Sequence, residues 1–135
     1  MGNRAVIAFS RDQSTVGIYL HWNGGPESVL AFLQAAKQYK LRNPQEDSYG
    51  VARLAQVIGN FFGGTTFVGV DRVQRLDTGA ENGIYFVDGQ WNIEESVKGL
   101  PITLEDERLD WTYYSAVLQD VLKANDPFFL NPPAR

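Results

Sequence analysis

The chain has 135 residues, of which 44% are hydrophobic and 13% aromatic, with a formal net charge of −4, one histidine and no cysteine. This length suits one domain with a substantial core, and the composition is globular and not disordered. The missing cysteines exclude disulfides and thiolate metal sites, the lone histidine excludes a multi-histidine zinc site, and the acidic balance argues against general duplex DNA binding.

Residues 4–9 read as a first strand, and 15–22 as a second, with a turn-rich break at Ser10 to Ser14 that predicts a hairpin. The second strand runs into Gly17-Ile18-Tyr19-Leu20-His21-Trp22-Asn23-Gly24-Gly25-Pro26, a strand end, a glycine corner and a proline suited to the first turn of a helix. Glycines ahead of a helix start leave N–H groups and the positive dipole end open, an arrangement that favours an anion. Val29, Leu30, Phe32, Leu33 and Ala36 then recur at helical spacing to about residue 40, and Lys37, Lys40 and Arg42 sit where cations suit the dipole.

A loop at 43–48 precedes a second helix over roughly 49–62, with Val51, Leu54, Ala55, Ile58 and Phe62 on one face and a stop at Gly63-Gly64. Residues 65–70 and 84–87 read as strands, and Asp88-Gly89 as a two-residue hairpin turn before a strand at 90–93. The stretch 65–94 therefore predicts a three- or four-stranded meander. A last helix is expected from about Leu109 to Ala124, striped by Tyr114, Val117, Leu118, Val121 and Leu122. Residues 126–135, with Phe128-Phe129-Leu130 between prolines, read as a tail that cannot be a long helix and that docks on the body or on another subunit.

The expected fold is thus a single α+β domain over 1–135, a small antiparallel sheet of about five to six strands packed with about three helices. No apolar run is long enough to span a membrane, and residues 1–6 lack the apolar core of a signal peptide, so a cytoplasmic protein is expected.

Catalytic signals are sparse. A serine triad would have to use His21, and no Gly-x-Ser-x-Gly elbow exists. Asp106 and Asp110 fit a solvated acidic helix start as well as a carboxylate pair, and Asp71 with Asp77, Glu81 or Asp88 matches no calcium loop. No catalytic residue, cofactor or metal ligand is therefore assigned. Gly24-Gly25 and Gly63-Gly64 lack the residues that complete a phosphate loop.

A binding site has more candidates. Arg53 lies on a helix whose apolar face is otherwise clear, near Asn60. Its guanidinium suits a phosphate or carboxylate, or else an internal ion pair with Asp77 or Glu81. Arg72, Arg75, Asp77 and Asn82 make a polar patch, and Trp22, Phe61, Tyr85 and Trp91 offer either stacking surface or core. The ligand-binding set drawn from these is His21, Trp22, Asn23, Gly24, Gly25, Arg53, Asn60, Arg75 and Asp77. The acids between 81 and 110 against the cations of the first half predict a bipolar surface.

The segments Gly17-Ile18-Tyr19-Leu20-His21-Trp22-Asn23-Gly24-Gly25 and Tyr49-Gly50-Val51-Ala52-Arg53-Leu54-Ala55-Gln56-Val57-Ile58-Gly59-Asn60-Phe61-Phe62-Gly63-Gly64, with Gly2 to Ile7, Leu76-Asp77 and Asn82 to Tyr85, carry a resemblance. They resemble a group of small proteins of bacteriophages, prophages and other bacterial mobile elements, over about residues 2–94. That resemblance implies a setting in which small acidic proteins act as counter-defence factors without catalysis. The expected partner is a nucleotide-type ligand, here an immune signal held by sequestration. The alternative is a host defence protein such as a nuclease, inhibited by an acidic nucleic-acid mimic. Self-association into a homo-oligomer through the last helix and tail is expected with either.

Overall fold

The computed structural model describes residues 2–64, 66–77 and 79–130. Five strands, β1 (Ala5–Ala8), β2 (Val16–Leu20), β3 (Val68–Arg72), β4 (Ile84–Val87) and β5 (Ile93–Ser96), form one sheet in the order β3-β2-β1-β4-β5. Three helices, α1 (Pro26–Gln38), α2 (Ser48–Phe61) and α3 (Trp111–Phe129), pack on one face of it. The expected α+β class, with about three helices, holds.

The central strands are the ones without alternation in sequence. Every residue of β1 and β4 is buried, because Ala5, Ile7, Tyr85 and Val87 face the helices while Val6, Ala8, Ile84 and Phe86 face a smaller apolar cluster behind the sheet. Val73 and Leu76 cover that cluster from a short 3-10 turn, Val73–Arg75.

The sheet is mixed, not antiparallel. β1 and β2 form the expected antiparallel hairpin, and β3 adds to β2, but β4 pairs parallel to β1 with Val6 opposite Ile84. The reason lies in the connection 73–83, which crosses the back of the sheet and delivers the chain to the end where β1 starts. There the Val6 N–H donates to the Gly83 carbonyl and the Asn82 N–H to the Arg4 carbonyl. Residues 65–94 therefore do not form a meander, since β3 and β4 lie on opposite sides of the β1–β2 pair.

The β4–β5 turn also differs from expectation. The Asp88 carboxylate accepts from the backbone N–H groups of Gln90 and Asn92, both at 2.9 Å, and closes a longer loop in which Trp91 takes φ 68°. β5 begins only at Ile93.

α1 is buried on almost every side from Ser28 to Ala36, because it lies among the sheet, α2 and α3. Gly24 positions its start: a Cβ there would sit 2.6 Å from the Asn3 carbonyl oxygen and 2.8 Å from the Ala5 Cβ. Its N–H donates to Asn3 and its carbonyl accepts from the Tyr85 hydroxyl at 2.8 Å.

The last helix runs to Phe129, past the predicted end at Ala124, and contains Pro127. The proline removes one donor but falls in the final turn, where tertiary contacts hold the chain helical. The Tyr39 hydroxyl donates to Asp126 at 2.6 Å, and the Phe129 ring stacks on Tyr39 at 4.8 Å. So residues 126–129 are helix and Leu130 caps it, while 131–135 lie outside the described residues. No helix among the described residues is long and apolar enough to cross a membrane.

Candidate functional site

α1 ends in a turn that is unusual in its residue. The Leu41 N–H reaches back to the Ala36 carbonyl at 3.0 Å and the Lys40 N–H to that of Lys37, a closure that places Lys40 at φ 54° where glycine is usual. The next residues are equally constrained. The Trp91 indole donates to the Leu41 carbonyl at 3.1 Å, and Gln45 Nε2 donates to the Phe9 carbonyl at 2.9 Å. α2 packs so closely beneath them that a Cβ on Gly50 would lie 2.4 Å from the Arg42 carbonyl oxygen.

This fixed loop holds Lys40, Leu41 and Arg42 against the first turns of α2 and the end of α3. Together with Tyr49, Arg53 and Phe129 they line an open cleft of about 480 Å³. Tyr49 and Arg53 share a helical face four residues apart. The Tyr49 ring is 53% exposed and has the Arg42 guanidinium 4.9 Å and the Arg53 guanidinium 5.3 Å from its centre. Arg42 also donates to Asp47 Oδ2 at 2.9 Å, while Asp47 Oδ1 caps α2 by accepting from the Tyr49 N–H. That backbone bond, with Arg42 adding to it, holds the Asp47 carboxyl below the usual carboxylate range.

Arg53, like Arg72, differs from the other described arginines in lacking an ion pair. Arg4 pairs with Glu81 and Asp77, Arg11 with Glu94 and Glu95, Arg75 with Asp71, and Arg108 with Asp106. Among the described residues Arg53 has no carboxylate partner, so neither of the ion pairs anticipated for it, with Asp77 or Glu81, is formed. Three cations face one carboxylate in the cleft, beside an open aromatic ring. That chemistry suits an anion carrying a flat group.

A slightly larger cleft, about 510 Å³, lies beyond the carboxyl ends of the parallel strands β1 and β4. Its one cation, Arg11, already lies 4.1 Å over the Phe86 ring and is held by Glu94 and Glu95. It has no charge to spare for an anion.

The structure does not gather the nine sequence-selected residues into one site. His21, Trp22, Asn23, Gly24 and Gly25 form the corner between β2 and α1. There His21 Nδ1 shares a 2.8 Å hydrogen bond with the Tyr19 hydroxyl, and Asn23 Nδ2 donates to Ser28 at 3.0 Å. Glu27 occupies the first turn of α1, beyond its Gly25 cap, so this helix start already has its own acid. Asn60 bonds Asn125 between α2 and α3, Arg75 bonds Asp71, and Asp77 meets Arg4 behind the sheet. Only Arg53 lies in the basic cleft.

Tyr49, Lys40, Arg42 and Phe129 were not selected from the sequence. The spacing of Tyr49 from Arg53 was the available signal; the loop and the end of α3 join them only through tertiary packing. Of the aromatics considered for stacking, Tyr85 and Trp91 are core, while Trp22 stays exposed. No protein-family model matches the chain, and no curated protein or solved structure matches it significantly.

Proposed function

We propose that this protein binds a nucleotide-type anion in the cleft of Lys40, Arg42, Tyr49 and Arg53 and holds it without chemistry. The observation that carries this reading is Arg53, a guanidinium with no carboxylate partner among the described residues, set beside an exposed tyrosine on a pinned loop. A phosphate would take a bidentate pair of hydrogen bonds from Arg53, Lys40 would add a point charge, and the Tyr49 ring would offer its edge or face to a base. Because the backbone of 40–44 is held at several points, little ordering cost would oppose binding.

In the mobile-element setting implied by the resemblance, such capture would remove a cyclic or ADP-ribose-derived immune signal from a bacterial cytoplasm. The competing idea of an acidic nucleic-acid mimic draws less support, because four of the acids of 81–110, Glu81, Glu94, Glu95 and Asp106, are paired with arginines. Self-association through the exposed Phe128 and Leu130 belongs to the same reading and is read directly from the mass in solution.

The test is native mass spectrometry after incubation with cyclic di- and trinucleotides and ADP-ribose derivatives. The expected result is an adduct that releases unchanged nucleotide on heating and is lost in Arg53→Ala and Tyr49→Ala. A converted nucleotide would make the protein an enzyme. No adduct, or one indifferent to Arg53→Ala, would sink the proposal.

A further inference from the structure

The strap that joins β5 to α3, residues 97–110, contains no helix or strand but is tied to itself and to the body. The Leu100 N–H donates to Ser96 Oγ at 3.1 Å. Arg108 donates to the Gly99 carbonyl at 2.9 Å and, through Nε and Nη2, to the Asp106 carboxylate. One guanidinium thus joins the start of the strap to its far half. Between these ties Ile102 and Leu104 pack half-buried against the main core.

α1 forms the facing wall. Leu30, Leu33, Gln34 and Lys37 stand at i, i+3, i+4 and i+7, so a single stripe of the helix lines a groove shared with the strap. Trp91, 3% exposed, closes it from below. The groove holds about 300 Å³. That is the small end of the range for ligand pockets, about 300–1,000 Å³, and it suits a molecule of amino-acid size better than a nucleotide. Two opposite charges line this apolar groove, Lys37 from the helix and Glu105 from the strap. Among the described residues neither forms an ion pair, with the other or with a third group.

We infer that this groove binds a free α-amino acid with a large apolar side chain. The side chain lies on Leu30, Leu33 and Trp91, the carboxylate meets Lys37 and the ammonium meets Glu105. A ligand with one charge would satisfy one of these residues and meet like charge at the other. No residue of this groove lines the basic cleft, so the inference does not rest on the nucleotide reading.

The probe is L-phenylalanine, titrated into the 15N-labelled full chain and compared with 3-phenylpropionate, phenethylamine and glycine. The expected result is a saturable shift of the Trp91 indole signal and of the amides of 30–37 and 102–105. Each one-charge analogue should bind about threefold or more weakly, the scale of an exposed ion pair. Lys37→Gln should abolish the preference over phenethylamine, and Glu105→Gln the preference over 3-phenylpropionate. Both side chains are exposed, and unmoved signals outside the groove verify that the variants are folded. Shifts that do not saturate or that fall elsewhere, an equal response to glycine, or preferences that survive the substitutions would overturn the inference. Tighter binding of 3-phenylpropionate than of L-phenylalanine would also overturn it, by making the occupant an anionic amphiphile. Concentration-dependent shifts of the same signals without any ligand would do so too, by making the occupant a second copy of this chain.

Discussion

Asn60 on α2 and Asn125 on α3 face each other between their helices, with Asn60 Nδ2 donating to Asn125 Oδ1 at 2.9 Å. Asn125 is fully buried and returns the bond through its amide, donating to the Val57 carbonyl at 3.1 Å and the Val121 carbonyl at 2.8 Å. A polar side chain at this depth is tolerated only because each of its groups is paired. Asn125→Ala leaves Asn60 without its acceptor and opens a cavity, and Asn125→Asp replaces two donations by a charge. The expected loss is about 1–3 kcal/mol for alanine and more for aspartate, read from urea midpoints with an unchanged slope.

Lys40 stands in the left-handed region at the close of α1. Glycine there would relieve about 1 kcal/mol of backbone strain. Lys40→Gly is therefore expected to raise the unfolding midpoint. If Lys40 serves the basic cleft, the same variant binds the nucleotide adduct more weakly than the parent. A variant that is more stable and binds equally well would remove Lys40 from the site.

Phe128 and Phe129 should behave differently despite being neighbours. Phe129 stacks on Tyr39 with the rings 15° from parallel, whereas Phe128 is exposed. Phe129→Ser is expected to cost about 1–2 kcal/mol and to loosen the end of α3. Phe128→Ser should stay within about 0.5 kcal/mol. Thermal melts separate the two, and sedimentation of Phe128→Ser tests whether the exposed ring also joins protomers.

The pH dependence has two limits. The Asp47, Glu81 and Asp106 carboxyls lie below their ordinary range, held chiefly by backbone hydrogen bonds at Asp47 and Glu81 and by Arg108 at Asp106. A depressed folded value stabilises the fold above the unfolded value, near 4, and that contribution is lost as pH falls through the folded one. At the other limit, burial pushes the Tyr39 and Tyr85 hydroxyls up, with Asp126 and Glu27 adding to the respective shifts. Their neutral forms favour folding fully below about pH 10, and that part is lost as pH rises further. Stability measured against pH should show a plateau between these limits. Absorbance at alkaline pH should show Tyr39 and Tyr85 ionising above the ordinary tyrosine value, near 10; ionisation of both at that ordinary value would contradict this packing.

Much of the local structure was legible from the chain alone, because short-range terms decide it. The apolar run at Ala5 to Ala8 marked a first strand, the helical spacing of Val29 to Ala36 and of Val51 to Ile58 marked α1 and α2 nearly to their ends, and Gly24 and Pro26 marked the corner between sheet and helix. Arg53 stood out as a cation on a clear helical face. What the sequence could not decide depends on contacts between distant residues. β4 lies parallel to β1 because the 73–83 crossover packs Val73 and Leu76 behind the sheet, a contact that no periodicity announces. Pro127 stays helical because Tyr39 holds both Asp126 and Phe129. The basic cleft exists because Trp91 and Gly50 pin the loop that carries Lys40 and Arg42 beside Tyr49. Periodicity and turn chemistry determine which segments form; burial and hydrogen-bond closure between segments determine which side chains meet.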